Sequence, residues 1–410
     1  MQDFQLYQQL LGLAEPWHVT AVRLDVKAQA VEVTVAVREQ VWACPQCAQR
    51  MHVHQWEART WRHLDSCQFQ TLIRADVPVV KCPEHGCQTV AVPWAEKYGR
   101  FTKLFERLAI DVLQECSVSA ACALLRISWD EADGIKQRAV ARGLRRQPPR
   151  PVARLGVDEK QAGHGQNYVT VVARLEPGQP ATVEYVGDGN DQAALDAYWQ
   201  QFTPEQRAGV QAVAMDMSAA YYRSTANHVP DAAGKIVYDP FHLVKHLTEA
   251  VDRVRRQEHG RLSANGDDRL AGTRYDWLHG WENVPETHRE RFDALRVQKL
   301  KTSRAWAIKE LFRMFWTSAT AAEGRELFER WYGWAIRSRL EPIKRVARSF
   351  KARLENLLTY FTHRITNAAL EGLNNGIGGL VRKAFGYRNR ARFKIDILFH
   401  FGGLDLYPAQ

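Results

Sequence analysis

No long apolar run occurs in this 410-residue chain. No stretch reaches the roughly 18 apolar residues that a membrane span needs, so no membrane partner is expected. The opening Met-Gln-Asp-Phe-Gln has no basic region followed by an apolar core. That argues against a signal peptide and for a cytoplasmic location. Cysteine is missing from the last two thirds, since all seven stand at or before Cys122. Four of them form two close pairs, which in a reducing compartment favours a metal over disulfides. No internal repeat and no low-complexity segment is found, so neither a solenoid nor a disordered tether is expected.

Acidic residues are absent where basic ones gather. Gln137 to Arg154 holds six arginines and no acid, and Val381 to Lys394 holds six cationic residues and no acid. The net charge of +10 points to a polyanionic partner. Contacts to DNA are expected from Arg138, Arg142, Arg145, Arg146 and Arg150 in the first run. They are expected from Arg382, Lys383, Arg388 and Arg390 in the second, where Phe385, Tyr387 and Phe393 are interleaved.

The length suits two or three domains, and the texture suggests a multidomain α+β chain. Residues 1–100 read as β-rich, with period-two valines on either side of a turn near Lys27-Ala28. Residues 101–151 read as a helix-turn-helix with a basic linker. A helical stripe runs through Leu104, Leu108, Ile110, Val112 and Leu113, and Ser128-Trp-Asp-Glu131 is a capping box. The helix it opens is expected to enter a DNA major groove. Gln147-Pro-Pro-Arg-Pro151 closes the segment as a stiff linker.

From residue 152 the order becomes β-β-β-α-β-α-β-α, which fits a ribonuclease-H-like α/β core. Its first part spans 152–259, and a helical insertion with six tryptophans follows at 260–360. Residues 361–410 return to the core with a Glu-bearing helix and a C-terminal tail.

Cys44-Pro-Gln-Cys47 and Cys82-Pro-Glu-His-Gly-Cys87 resemble two knuckles that could share one structural zinc. The expected ligands are Cys44, Cys47, Cys82 and Cys87. His85, His52, His54 or His63 could replace one of them. Cys67, Cys116 and Cys122 are expected in the core.

Asp158 closes the run Leu155-Gly-Val157, Asp216 closes Val210–Met215, and Glu371 lies on a helix far downstream. Two strand-end aspartates and a helical glutamate can hold two magnesium or manganese ions for phosphoryl transfer on nucleic acid. Glu159 should face the other side of its strand. Asp188 reads as a turn residue, and Asp239 with His242 forms a second-tier candidate. Asn367, Asn374 and Gly378 share the face of the Glu371 helix, where a DNA backbone could approach.

Together these residues resemble the DDE transposases of the ISL-three insertion-sequence family. The likeness rests on Cys-Pro-x-Cys with its second pair, Leu-Gly-Val-Asp158-Glu, Met-Asp216-Met-Ser and Asp-Pro-Phe-His242. It is most specific from Asn367 through Glu371 and Gly386-Tyr-Arg-Asn to Phe393. The resemblance implies a zinc ribbon, a helix-turn-helix and a ribonuclease-H-like catalytic domain with a helical insertion. It implies binding to the terminal inverted repeats of an element, strand cleavage, and transfer into target DNA, with a homodimer or larger assembly on DNA. The rivals are a nuclease of the same fold that does not join strands, and an inactive zinc-ribbon regulator.

Overall fold

The computed structural model describes residues 3–148, 151–162 and 167–409. The chain divides into two compact units, 1–148 with 404–410, and 149–403.

The first unit opens with helix α1 (Asp3–Leu10) and a six-stranded sheet. Its strands are β1 (His18–Asp25), β2 (Ala30–Ala36), β3 (Val41–Ala43), β4 (Arg50–Ser66), β5 (Phe69–Cys82) and β6 (Gly86–Thr89). The order is β1-β2-β5-β4-β3, with β6 added along β5. Cys67 and Gln68 form a two-residue turn between β4 and β5, both with positive φ, as a tight hairpin turn requires. Cys67 is therefore exposed at a turn, and Cys116 is only half-buried. Cys122 alone of the three isolated cysteines is a core residue. Trp17, Trp61 and Trp94 pack edge to face in the core of this sheet.

Helices α2 (Lys103–Glu115), α3 (Val118–Leu125) and α4 (Trp129–Arg146) complete the unit. Arg126 at αL ends α3, and the Ser128–Glu131 capping box opens α4 with both reciprocal bonds made. The buried stripe of α2 is Phe105, Ala109, Ile110 and Leu113. The expected stripe was displaced by one position at its start, since Leu104 and Leu108 are exposed.

The second unit is built on a five-stranded sheet ordered β11-β10-β7-β8-β9. These are β7 (Arg154–Gln161), β8 (Tyr168–Arg174), β9 (Thr182–Asp188), β10 (Ala212–Met215) and β11 (Ile236–Tyr238). β7 is central, antiparallel to β8 and parallel to β10, and β11 is parallel to β10. Strand parity sorts the residues onto two faces. Leu155, Val157, Val213, Met215, Ile236 and Tyr238 join one core. Ala212, Ala214 and Val237 join another.

The first face is covered through α5 (Gln192–Trp199), α6 (Pro204–Ala208), α7 (Ala219–His228) and α8 (Pro240–Ser263). Behind these follow α9 (Arg274–Leu278), α10 (Glu286–Arg296), α11 (Lys301–Arg313), α12 (Ala321–Arg337), α13 (Glu341–Lys351) and α14 (Leu354–His363). One continuous apolar core runs from β7 into these helices, so the insertion is welded to the sheet. α8 passes through residue 260 without a break. The opposite face carries α15 (Ala368–Lys383) and α16 (Arg390–Phe401), whose Leu370, Ile377, Phe393 and Ile397 pack on Val171, Ala173 and Val183.

Candidate functional site

The parallel register aligns Val157 with Met215, and Met215 with Tyr238. The next residue along each chain is an aspartate: Asp158, Asp216 and Asp239. Each is two residues beyond a side chain of the α15-facing side, namely Gly156, Ala214 and Val237, so all three acids share that face. β7 itself continues past Asp158 to Gln161. The strand does not end at that acid; it outlasts its partner β10 there.

Helix α15 is docked over this row by its buried face of Leu370, Asn374 and Ile377, with Asn367 buried at its cap. Asn374 Nδ2 donates to Asp158 Oδ2 at 2.7 Å, and Asn367 Nδ2 donates to the Val157 carbonyl at 3.3 Å. The Asn367 backbone N–H reaches Asp239 Oδ1 at 3.4 Å. Asn374 therefore contacts a carboxylate, a tighter role than the DNA contact expected of it. Gly156 permits the docking, because a Cβ there would lie 2.9 Å from Asn367 Oδ1 and 3.1 Å from Leu370.

Burial raises the carboxyl pKa of Asp158, Asp216 and Asp239 above the ordinary carboxylate range. His242, one turn into α8, opposes that rise at all three. Asp216 adds like charge to Asp158, and Glu371 adds it to Asp239. Glu371 is exposed on the first turn of α15. Its charge acts on Asp239, whereas the charges acting on Asp158 and Asp216 come chiefly from His242, Glu159 and one another. Asp239 and His242 are 3.9 Å apart. The sequence placed this pair in the second tier, since a strand-end aspartate taken singly is more often a cap or turn residue. Asp239 makes no capping bond with its side chain. Glu159 bonds Asn190 and adds like charge to Asp158 and Asp216, and Asp188 pairs with Lys394 at 2.7 Å.

A second cluster lies in the first unit. Cys44, Cys47, Cys82 and His85 bring their ligand atoms within 4.8 Å of one another. Among the described residues this is the one group of three or more metal-competent side chains drawn so tightly. Cys47 Sγ and Cys82 Sγ are 3.7 Å apart, and His85 Nδ1 is 3.4 Å from Cys82 Sγ. A tetrahedral zinc with Zn–S bonds of roughly 2.3 Å would set its sulfurs roughly 3.8 Å apart, so the set fits one structural zinc. Backbone N–H groups of Cys47 and Gln46 lower the Cys44 thiol to about 7, which favours the thiolate that zinc requires. Of the candidates for the fourth ligand, His85 rather than Cys87 stands with the other three. Cys87 is exposed on β6 opposite Lys81, and the turn that precedes β6 presents His85 instead.

The basic runs divide. Arg142 is buried, with 4% of its side chain exposed, between Glu96 and Glu106 at 2.8 Å each, and it also bonds the Leu406 carbonyl. Arg138 pairs with Glu106, and Arg146 pairs with Asp405 and the Tyr407 carbonyl. These three hold α4 against its own unit, and burial removes Arg142 from the expected phosphate contacts. Spacing in a helix cannot reveal this, because the acids arrive from distant segments. Arg145 is exposed, and Arg150 lies outside the described residues. In the second run Arg382, Lys383, Arg388 and Arg390 are all exposed.

Comparison with known proteins defines the class, the transposases. Residues 155–397 match a family model described as a transposase, of the DDE type in family ISL3. Residues 40–87 match the zinc-finger of transposase IS204/IS1001/IS1096/IS1165, and residues 90–140 match the helix-turn-helix domain of transposase family ISL3. The chain belongs to the ISL3 transposase family. It is 28% identical over 421 aligned positions to the transposase for insertion sequence element IS1557 of Mycobacterium tuberculosis, covering 95% of this chain and 93% of the relative. It is 26% identical over 368 positions to the transposase for insertion sequence element IS1001 of Bordetella parapertussis, covering 88% and 89%. No helix among the described residues is long and apolar enough to cross a membrane.

Proposed function

We propose that this transposase binds the terminal inverted repeats of its element and cuts and joins DNA through a ribonuclease-H-like core. The sheet order β11-β10-β7-β8-β9 supports that fold reading. The observation that carries the function is the register placing Asp158 and Asp216 side by side beneath the helix that bears Glu371.

The residues fit hard divalent cations. Their donors are carboxylate oxygens, burial has left them short of positive charge, and Asn374 Oδ1 is buried without a partner. Asp158, Asp216 and Glu371 would hold two magnesium or manganese ions. When bound, these supply charge neutralisation to the attacking and leaving oxygens. The chain's own part is positioning. Asn374 fixes the Asp158 carboxylate, Asn367 ties α15 to β7 and Asp239, and the exposed cations after α15 receive the DNA backbone. Water attacks a phosphodiester at the element end and frees a 3′ hydroxyl. That hydroxyl attacks a second phosphodiester in line and expels its 3′ oxygen. At least two chains act on a pair of ends.

A strand-transfer assay with pre-cut ends taken from the repeats flanking the gene tests this. Joining in magnesium or manganese, with assembly but no chemistry in calcium, is expected. Cleavage without joining would mark a plain nuclease, and binding without either would mark a regulator.

A further inference from the structure

Three aromatic residues interrupt the basic run after α15, and the structure treats them differently. Tyr387 and Phe393 stack with centroids 4.6 Å apart, and Tyr387 OH donates to Asp396 at 2.8 Å. Phe385 is 100% exposed. It also has φ +52, a left-handed conformation that a bulky side chain rarely adopts. An exposed phenyl ring on strained backbone gains nothing from folding, and such outliers point to function.

The turn is not loose. Phe385 N–H donates to the Arg382 carbonyl at 3.2 Å, and Gly386, with φ +92, donates to the Val381 carbonyl at 2.9 Å. Tyr387 N–H then reaches the Ala162 carbonyl at 3.3 Å. The ring is presented on a braced corner. Arg382, Lys383 and Arg388, all exposed, flank it in sequence within three residues on either side. An apolar ring framed by cations suits one kind of partner: a duplex whose phosphates meet the cations while the ring enters between two base pairs.

We infer that Phe385 is a DNA-unstacking wedge. This rests on the proposed function. From Glu371 to Lys383, where α15 ends two residues before the ring, the helical rise is roughly 18 Å. At roughly 3.4 Å per base pair, the unstacked step falls within about six base pairs of the cut.

The test uses the full chain and duplexes of the element end, each with one 2-aminopurine at successive positions within that range. Wild-type protein in calcium should brighten the probe at one step. Phe385→Ala should abolish that signal and slow cleavage on the order of tenfold, while Phe385→Trp should preserve both. A mismatch placed at the same step should restore the cleavage rate of Phe385→Ala, because the distortion is then already present. Arg382→Ala with Lys383→Ala should lower the salt slope of binding by about two units. Equal brightening by Phe385→Ala, or no rescue by the mismatch, overturns the wedge. So does a change of oligomeric state in Phe385→Ala without DNA, which makes the ring a contact between copies. Wild-type cutting without any brightening sinks the wedge alone, whereas failure to cut at all sinks the proposed function and the wedge with it.

Discussion

The thiol–imidazole cluster and the carboxylate row of this chain are built in opposite ways. The thiol–imidazole cluster comes from two short turns beside one sheet, and its ligand atoms already stand within 4.8 Å. The carboxylate row comes from β7, β10, β11 and α15, gathered over more than two hundred positions. Its members repel one another, and burial penalises their charge. Soft ligands can preassemble because backbone N–H groups stabilise the thiolate at Cys44 while a neighbouring thiol can keep its proton until metal arrives. Carboxylates at neutral pH cannot, so the fold holds them beside one another without collapsing them. The first site stores folding energy, and the second stores electrostatic demand for cations.

Zinc removal should give the largest effect. Structural zinc contributes about 10–16 kcal/mol in small modules. Cys44→Ser or His85→Ala should therefore release the metal and abolish end binding, read by metal analysis and gel shift. Cys87→Ser should keep one zinc per chain, and loss of zinc from that variant would restore the four-cysteine set.

Next come the acids. Asp158→Asn, Asp216→Asn and Glu371→Gln should each reduce cleavage and joining by about a thousandfold or more while leaving end binding intact. Retained activity in Glu371→Gln with loss in Asp239→Asn would transfer the third role to Asp239.

A smaller effect is expected at the helix seat. Gly156→Ala should drive α15 off β7 and cost about 1–3 kcal/mol, measurable as a lowered Tm.

The smallest effect has the opposite sign. Because the folded pKa of Asp158 is raised, its ionisation destabilises the metal-free protein as pH climbs through that value. Asp158→Asn should stabilise the metal-free protein at pH 7 by on the order of 1 kcal/mol. The gain should vanish below the unfolded carboxylate pKa of about 3.9, where wild-type Asp158 is protonated in both states. Denaturant melts at pH 7 and pH 3.5 decide it.

Much of this comparison was legible in the sequence. Apolar runs ending in Asp216 and Asp239 encode strand ends, the run before Asp158 encodes the buried half of β7, and Ser128-Trp-Asp-Glu131 encodes a helix start, because these signals are local. The knuckle turns were equally local, yet the choice between His85 and Cys87 was not. It depends on which way β6 leaves the turn, and that is set by pairing with β5. The fates of Arg138, Arg142 and Arg146 were hidden for a stronger reason. Their partners Glu106 and Asp405 lie 32 and 259 positions away. Phe385 shows the limit from the other side, since its place among the cations was legible but its full exposure and left-handed backbone, unlike the packed Tyr387 and Phe393, were not.

The segment Leu404–Gln410 belongs to the first unit. Leu406 is buried there, its carbonyl receives Arg142, and Tyr407 bonds Asp111. The ribosome adds roughly 5–20 residues per second. Arg146 and its partner Asp405 therefore emerge roughly 10–50 s apart. Helix α4 is thus made well before the segment that straps it, and a chain truncated before Leu404 lacks that strap.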